Sequence, residues 1–260
     1  MDELLKKLRL SRIGEVYEDW VEKASRENIG YKEFLRNLLE EEVLSRQESG
    51  IRKKIRQAGF PFEKTMEQFD FSLRPELQRQ VFVNYLDERF ITEGRTICLI
   101  GAAGLGKTHL SIAIGIKHIM LGCDVKFTTA QSLINRILQA QGSVKRREQI
   151  KPFLKCDLLI IDELGYLSQE PEIGPILYEI VAGRYEKKSI IITTNKSIVE
   201  WGSILHDPSL ATAIVDRLLH HGEVYYMTGE SYRLRGKKLT SSSDDINIIK
   251  KKNKKFREGG

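Results

Sequence analysis

The sequence of 260 residues is poor in cysteine and has no long apolar run. Its three cysteines, Cys98, Cys123 and Cys156, are odd in number, widely spaced and next to strand-like runs, which argues against a disulfide framework or a zinc site. No segment approaches the roughly 18 consecutive apolar residues of a membrane helix. The first ten residues, MDELLKKLRL, lack the apolar region and cleavage site of a secretory signal. These absences predict a cytoplasmic protein with no membrane partner.

Histidine is scarce as well. The five histidines show no metal-ligand spacing and no arrangement typical of a nucleophile triad. They are His109, His118, His206, His220 and His221. Their spacing predicts no chemistry, apart from the place of His109 in a glycine-rich loop described below.

The positive charge of the chain is concentrated at its C-terminus. The formal net charge is +6, and residues 233–260 contain ten Lys or Arg and three acidic residues, so this segment carries +7 and the rest −1. Such a segment is either a solubilising end or one that binds phosphate backbones without reading sequence. Both interpretations stay open for the basic tail, residues 241–260, which we predict to be disordered.

The first 58 residues have the periodicity of amphipathic helices. Apolar residues recur at helical spacing between residues 13 and 21 and again between residues 31 and 43. Through Asp70 the 14 basic residues nearly balance the 15 acidic ones, and no catalytic cluster occurs. Residues 1–65 are predicted to form a small helical interaction domain, although such apolar stripes are more often core than partner surface.

A helix-breaking segment, AGFP at residues 58–61, follows these helices. Its proline cannot continue a helix and disfavours helical backbone in the residue before it. The domain boundary is placed within residues 58–72, and residues 66–240 are assigned to the second domain. Four phenylalanines here could stack on bases, but they more often anchor a linker to the core beside it. They are Phe60, Phe62, Phe69 and Phe71.

Helix and strand patterns alternate through the second domain. Strands are predicted at 96–100, 124–129, 157–162, 189–194 and 224–228, and helices at 76–90, 107–121, 131–140, 173–183 and 209–220. The strands are nearly continuous apolar runs such as LLII and SIIIT, which is typical of a parallel sheet covered by helices on both faces. The predicted fold is α/β with a five-stranded parallel sheet.

The segment GAAGLGKTHL, at residues 101–110, lies between the first strand and the next helix. It has the spacing of a phosphate-binding loop, whose glycines let successive backbone N–H groups wrap the phosphates of a nucleotide. Lys107 is predicted to contact the β- and γ-phosphates, and the Thr108 hydroxyl to bind Mg²⁺. The residues predicted to bind the nucleotide are Gly101, Ala102, Ala103, Gly104, Leu105, Gly106, Lys107, Thr108 and His109.

Two acidic residues, Asp162 and Glu163, end the apolar run in CDLLIIDEL. They lie at the carboxyl edge of a predicted parallel strand, beside the phosphate loop. Asp162 is predicted to hold Mg²⁺ through its water shell, and Glu163 to orient and deprotonate the attacking water. An acidic helix N-terminus is the alternative, but the phosphate loop about 55 residues upstream favours the catalytic interpretation.

Further polar residues could complete the site. Asn195 follows the strand at 189–194 and could contact the γ-phosphate or position the water, although alone it would be a turn former. Arg217 and Arg233 lie on either side of the last strand. A mobile or subunit-donated guanidinium accelerates phosphoryl transfer by stabilising charge, but both arginines could also form surface ion pairs.

Five motifs occur in the order and spacing of AAA+ ATPases of the initiator and helicase-loader clade: GAAGLGKTHL, LLIIDELGYL, SIIITTN, VDRLLHHG and GESYRLRG. The chain most resembles the IstB-like ATPases of bacterial insertion sequences, and it does so over its whole length, including RIGEVYEDW and FDFSLRPEL. DnaC-type helicase loaders are similar mainly from the phosphate loop onward. The resemblance implies a protein that binds and hydrolyses ATP, forms ATP-dependent homo-oligomers on DNA and passes a transposase to a target site.

The resemblance also implies individual roles. Asn195 resembles sensor I, Arg217 an arginine finger acting in trans, and Arg233 the sensor II arginine. After Met227 only a short loop and a polar tail follow, so the helical lid that carries such an arginine is expected to be reduced or absent. Arg184, just before the strand at 189–194, is a rival of Arg217 for a contact between subunits.

Residues 130–156 are more than one crossover helix requires. They contain the basic patch, Lys145, Arg146, Arg147 and Lys151. The resemblance implies an extra helix that faces double-stranded DNA, and a solvated loop is the alternative. No base-reading pattern is evident, so the predicted DNA binding is mostly independent of base sequence.

Four functions are compatible with these features. The favoured one is a DNA-bound ATPase that assists transposition by target capture and transposase recruitment. The alternatives are a DnaC-like loader of replicative helicase, a small-molecule kinase and a nucleotide-gated scaffold with negligible turnover. The helical N-terminus, the basic tail and the water-activating Glu163 fit the kinase poorly.

Overall fold

The computed structural model of the protein describes residues 1–165, 167, 170 and 172–232. The helices in this part are α1 (Asp2–Lys7), α2 (Ser11–Glu27), α3 (Tyr31–Ala58), α4 (Arg79–Asn84), α5 (Arg89–Thr92), α6 (Lys107–Met120), α7 (Ala130–Leu138), α8 (Ser143–Lys155), α9 (Ile173–Arg184), α10 (Trp201–Ile204) and α11 (Pro208–His220). The strands are β1 (Thr96–Gly101), β2 (Val125–Thr129), β3 (Leu158–Asp162), β4 (Ser189–Thr194) and β5 (Gly222–Met227). Within the described ranges, every helix is too short or too polar to cross a membrane.

The strands form one parallel sheet in the order β2-β3-β4-β1-β5. In its register Cys98 of β1 lies opposite Ile192 of β4 and Val224 of β5. Because all strands point the same way, the carboxyl ends of β3, β4 and β1 are neighbours at one edge of the sheet. The predicted five-stranded parallel sheet is confirmed, and this edge carries the residues singled out for chemistry.

Helices cover both faces of the sheet, as its apolar strands require. The residues of β3 and β4 are buried, and so are all but the last of β1. One face packs against α6 and the last turns of α3, where Ile55 and Ala58 are buried. The other face packs against α7, α8, α9 and α11. The continuous burial of both faces explains why the strand sequences do not alternate between apolar and polar residues.

The N-terminal helices form a small unit of their own around Leu5, Ile13 and Leu38. Glu42 of α3 joins two of these helices, because its Oε2 accepts the N–H of Arg12 at 2.9 Å and the N–H of Ile13 at 3.2 Å. Burial opposes ionisation of Glu42, but its hydrogen bonds to Arg46 and to these N–H groups lower its pKa. The division of the chain at residue 65 stays a prediction.

One predicted element differs from the structure, and another segment decides between two alternatives. The single helix predicted at 76–90 is split into α4 and α5, and in the turn between them Asp87 Oδ1 accepts the N–H of Arg89 at 2.9 Å. The crossover between β2 and β3 contains α7 and also α8, which carries the basic patch. The basic patch therefore lies on an additional helix, as the resemblance implies, and not in a loop, while its contact with DNA stays a prediction.

Candidate nucleotide-binding site

The phosphate loop connects the end of β1 to the start of α6. Gly104 and Gly106 have φ angles of +80° and +100°, a left-handed backbone that other residues rarely adopt. A Cβ at Gly106 would also lie 2.6 Å from Cε2 of Phe69. The bend therefore depends on glycine, and it ends at the N-terminus of α6. The N–H groups and partial positive charge of a helix N-terminus favour a bound anion.

Lys107 is the first residue of α6, and its ammonium group points back over the loop. Its Nζ donates hydrogen bonds to the carbonyl oxygens of Gly101, at 2.6 Å, and Ala102, at 2.7 Å. Phosphate oxygens are charged acceptors and bind an ammonium more strongly than carbonyl oxygens do. When a nucleotide binds in the loop, the Lys107 ammonium can therefore exchange its hydrogen bonds to these carbonyls for bonds to phosphate oxygens without a change in the backbone.

Asp162 and Thr108 meet at the carboxyl edge of the sheet. Thr108 Oγ1 lies 2.9 and 3.1 Å from the two carboxylate oxygens of Asp162, which is 5% exposed. Asp162 also accepts a hydrogen bond from Thr193 Oγ1 at 2.5 Å. Hydroxyl and carboxylate oxygens are ligands that Mg²⁺ prefers, so this donor set fits the ion predicted to bind here.

Glu163 is held in a strained conformation next to Asp162. Its φ angle is +59°, which is uncommon for a residue other than glycine. Its N–H donates to Thr193 Oγ1 at 2.9 Å, and the N–H of Leu164 donates to the Thr193 carbonyl at 2.8 Å. These bonds to β4 keep the turn in place. The exposed Glu163 side chain lines the same cavity as Lys107 and Asn195.

Asn195 follows β4 and lines the same cavity as Glu163. Thr194, the last residue of β4, donates from Oγ1 to the carbonyl of Leu164 and so joins the ends of β3 and β4. The Asn195 amide lies against Gly165, where a Cβ would come within 2.3 Å of Asn195 Oδ1. The structure therefore brings together the lysine, the two acids and the amide that the sequence placed at three strand ends.

Lys107, Glu163 and Asn195 line one cavity of about 430 Å³, and so does Thr108, the hydrogen-bond partner of Asp162. Its wall includes residues 103–109 of the predicted loop, whereas Gly101 and Ala102 are absent from it among the residues described. The opposite wall combines aromatic rings with polar side chains, as small-molecule sites commonly do. It is formed by Phe62, Lys64, Gln68, Phe69, Asp70 and Tyr232.

His109 lies between the loop and this second wall. Its Nε2 is 2.8 Å from the carbonyl oxygen of Thr65, and its ring packs edge-on against Phe69 at 5.3 Å. Burial lowers the pKa of His109, so the neutral ring donates this hydrogen bond. Phe69 is itself buried against Phe71, with ring centroids 4.7 Å apart. The linker aromatics thus mainly anchor the linker, while Phe62 remains partly exposed in the cavity.

Arg74 is a part of the site that sequence reasoning missed. It is 2% exposed, and it donates to the carbonyl of Leu105 in the phosphate loop, at 3.0 Å, and to that of Glu230, at 2.7 Å. Its guanidinium lies 5.1 Å from the ring of Tyr232, whose N–H donates to the Gly104 carbonyl at 2.8 Å. The segment 228–232 therefore closes over the phosphate loop. Arg74 belongs to no motif of fixed spacing, so the sequence could not have revealed this role.

Arg217 is remote from the cavity within its own chain. It lies on α11, donates to the carbonyl of Ala213 at 2.9 Å and sits 4.9 Å from the ring of Tyr178. It lines a crevice with Thr96, the first residue of β1, whereas the cavity lies beyond the carboxyl end of that strand. The six residues of β1 span roughly 20 Å.

Arg184 is excluded as the rival of Arg217. It is fully buried, and its guanidinium donates to the carbonyls of Phe153 at 2.6 Å, Cys156 at 2.9 Å and Ser189 at 2.7 Å. These bonds join α8 to β4, so the expectation of an intersubunit contact is wrong. Arg233 and the basic tail lie outside the described residues.

The basic patch lies on α8. Three of its side chains, Lys145, Arg147 and Lys151, are exposed, and Arg146 is half-buried. In the part of the chain that the structure describes, none of the four forms a salt bridge within 4.0 Å. Their charges are therefore not neutralised by carboxylates of that part of the chain.

The comparisons with known protein sequences agree on one family. Residues 3–240 match the family described as IstB-like ATP binding protein. The chain is 41% identical over 233 residues to a predicted ATP-binding protein of insertion sequence IS5376 from Geobacillus stearothermophilus, covering 90% of this chain and 93% of that protein. It is 36% identical over 238 residues to the corresponding IS21 protein from Pseudomonas aeruginosa, covering 92% and 90%.

Solved structures of replication proteins share the fold. AMPPCP-bound DnaA from Aquifex aeolicus has a TM-score of 0.55 and 22% identity, and the match covers 76% of this chain and 57% of that one. DnaI has a TM-score of 0.53 and 20% identity, with coverage of 72% and 98%. At these identities the likeness concerns the fold alone, and it confirms an α/β core around the phosphate loop.

Proposed function

Because this chain belongs to the family of IstB-like ATP-binding proteins of insertion sequences, we propose that it hydrolyses ATP and uses the nucleotide to assemble on DNA and recruit a transposase. The observation that carries hydrolysis is that Glu163 and Asn195 line the same cavity as the phosphate loop and Lys107. Binding alone needs only the loop. A fixed carboxylate beyond the phosphates is what water activation needs.

The residues divide the chemistry among them. Lys107 and the N-terminus of α6 would neutralise the β- and γ-phosphates, while Thr108 and Asp162 would hold Mg²⁺. The ion supplies charge neutralisation between these phosphates when it is bound. Glu163 accepts a proton from the water that attacks the γ-phosphorus, and Asn195 orients that water or a γ-phosphate oxygen. The bond to the β–γ bridging oxygen then breaks, leaving ADP and phosphate.

The position of Arg217 supports an oligomer. Arg217 lies near the first residue of β1, whereas its own cavity lies beyond the other end of this strand of roughly 20 Å, so we infer that its guanidinium approaches a γ-phosphate in a neighbouring subunit. A head-to-tail contact presents one edge of a subunit to the opposite edge of the next. We infer that ATP favours this contact, since its γ-phosphate provides the negative charge that attracts Arg217.

The basic patch on α8 supports DNA as the surface of assembly. Four cations without carboxylate partners in the described chain suit phosphate oxygens, and no side-chain pattern for reading bases accompanies them. We expect log Kd for duplex DNA to rise linearly with log salt concentration. Changing Lys145 and Arg147 to Ala should lower this slope by about 2, and a slope unchanged from the parent chain would remove the patch from the interface.

Glu163→Gln is the test of the proposed activity, because it keeps the size of the side chain and removes its basicity. We expect retained ATP binding, loss of phosphate release and larger ATP-dependent oligomers in sedimentation, more so with duplex DNA. The matched control is Glu230→Gln, an exposed residue of the closing segment that contributes only its carbonyl to Arg74. Phosphate release at the parent rate in Glu163→Gln would exclude Glu163 as the base.

Recruitment is tested separately from hydrolysis. The Glu163→Gln protein with ATP and duplex DNA should retain the transposase of the same insertion sequence on a DNA column. Replicative helicase, applied in place of the transposase, should pass through the column without being retained. The reverse result would assign the protein to helicase loading, whatever the outcome of the hydrolysis test.

A further inference from the structure

We propose that Glu186, His220 and His221 form a binding site for one divalent transition-metal ion such as Zn²⁺. The carboxylate comes from the turn after α9 and the imidazoles from the end of α11, up to 35 residues further along the chain. One ligand atom of each residue lies within 4.8 Å of those of the other two. Two imidazole nitrogens and a carboxylate oxygen are a donor set that suits zinc and its first-row neighbours.

The distances suit a single ion. Glu186 Oε1 lies 3.2 Å from His221 Nε2 and 3.8 Å from His220 Nδ1. Ligand atoms about 2.1 Å from a four-coordinate ion are roughly 3.4 Å from one another, between these two values. All three side chains are about half exposed, so small movements can complete the geometry and water can supply the remaining ligand.

The backbone around the cluster also favours a cation. Glu186 has a left-handed φ angle of +58°, held by the N–H groups of Lys187 and Lys188, which both donate to the Arg184 carbonyl at 2.9 Å. This turn keeps the carboxylate beside the imidazoles. The end of the 13-residue α11 adds partial negative charge. The Lys188 ammonium group does not form an ion pair with Glu186, because its Nζ lies 2.6 Å from Oδ1 of Asp157.

A bound ion would act on the helix that carries Arg217. Tyr185 OH and His220 Nδ1 share a hydrogen bond at 2.7 Å, and the Tyr185 ring lies 6.0 Å from the Arg217 guanidinium. An ion that takes the Nδ1 lone pair displaces this hydroxyl and links α11 to the turn after α9. The metal site does not depend on the proposed ATPase, but it would restrict the segment through which Arg217 acts.

The alternative is an ordinary polar cluster of Glu186 and the two histidines that holds no metal ion. Co²⁺ distinguishes the two, because coordinated Co²⁺ absorbs visible light. The experiment uses the full-length chain without a histidine tag, freed of metal by dialysis against a chelator and titrated with Co²⁺ at neutral pH. Zn²⁺ is then added to displace it.

We expect one Co²⁺ per chain in a coordinated form that Zn²⁺ displaces, with affinity at least ~10-fold lower in His220→Ala, His221→Ala and Glu186→Gln. His206→Ala, an exposed histidine outside the cluster, should bind as the parent does. Zn²⁺ should also raise the melting temperature of the parent and of His206→Ala, but not of His221→Ala. Equal Co²⁺ affinity in the parent and the three cluster variants, or no coordinated Co²⁺ in a folded parent, would overturn the proposal.

Discussion

Thr193 donates a hydrogen bond from its Oγ1 to Asp162 Oδ1, at 2.5 Å, across the edge between β4 and β3. The same hydroxyl accepts the N–H of Glu163 at 2.9 Å. One side chain of β4 therefore positions both acids of the β3 end, the one assigned to Mg²⁺ and the one assigned to water. This makes Thr193, which lies within the SIIITTN motif, a positioning residue for both acids.

Thr193→Val should distinguish the effect of the hydroxyl on catalysis from its effect on stability, because valine has nearly the shape of threonine but no hydroxyl. The loss leaves the Glu163 N–H and one Asp162 oxygen without this partner and should cost about 1–3 kcal/mol of unfolding free energy. We expect ATP hydrolysis to fall by about 10- to 100-fold, with ATP affinity changed much less. Phosphate release and denaturant unfolding measure these effects, and Thr193→Ser should restore most of the rate.

Gly106→Ala should abolish nucleotide binding for two reasons. Gly106 has φ of +100°, and a Cβ would lie 2.6 Å from Phe69. Gly122 provides a matched control, since it has a similar φ of +94° but a Cβ there would meet no atom within 4 Å. Gly122→Ala should cost about 1 kcal/mol of stability and leave ATP binding intact. Equal loss of ATP binding in both variants would mean that backbone strain alone, and not the contact with Phe69, decides the effect.

Arg74→Met should loosen the closing segment over the phosphate loop. Methionine keeps much of the buried volume but cannot donate to the carbonyls of Leu105 and Glu230. We expect at least ~10-fold weaker binding of an ATP analogue, because each lost bond to a charged donor contributes about 1.5–3 kcal/mol. Arg79→Met, at an exposed position on α4, is the control. Unchanged affinity in a folded Arg74→Met protein would contradict the role assigned to the segment.

Local patterns predicted the parts of the site that are continuous in sequence. The loop at residues 101–109 has a spacing set by the phosphates it binds, and Asp162 and Asn195 end apolar strands whose parallel pairing places them at one edge. Their meeting around one cavity follows from the strand order, which the alternation of elements suggests but does not fix.

Other parts depend on contacts between distant segments. Arg74 bonds to Glu230 across 156 positions, and the cluster of Glu186 with His221 spans 35. A periodic pattern cannot show such pairs. Arg184 illustrates the opposite error. An arginine at the end of a helix resembles a surface residue, yet Arg184 is completely buried and donates hydrogen bonds to five acceptors.

His118 should make stability depend on pH. Burial lowers the pKa of His118 below its ordinary value of 6.5, so the unfolded chain takes up the proton more readily than the folded one. Its stabilising effect is present above pH of about 6.5 and is lost as pH falls through the folded pKa. We expect His118→Gln to reduce the difference in unfolding free energy between pH of about 7.5 and 5.5.

Urea unfolding at the two pH values checks the role of His118. His109, whose pKa is also lowered by burial, should leave part of the pH dependence in His118→Gln. His206→Gln is the control, because this side chain is exposed. The same pH dependence in His118→Gln as in the parent chain would show that His118 titrates alike in the folded and unfolded states.

Mixing two inactive variants decides whether Arg217 acts between subunits. Arg217→Ala retains the cavity residues and lacks the guanidinium, whereas Glu163→Gln retains the guanidinium and lacks the base. If Arg217 acts in trans, a mixed oligomer contains contacts in which an intact cavity meets an intact Arg217, about one quarter of contacts at equal concentrations. Phosphate release should therefore recover to about a quarter of the parent rate. If Arg217 acts within its own chain, we expect no recovery. The control mixes Arg217→Ala with a chain that carries both substitutions, and this mixture should not recover either.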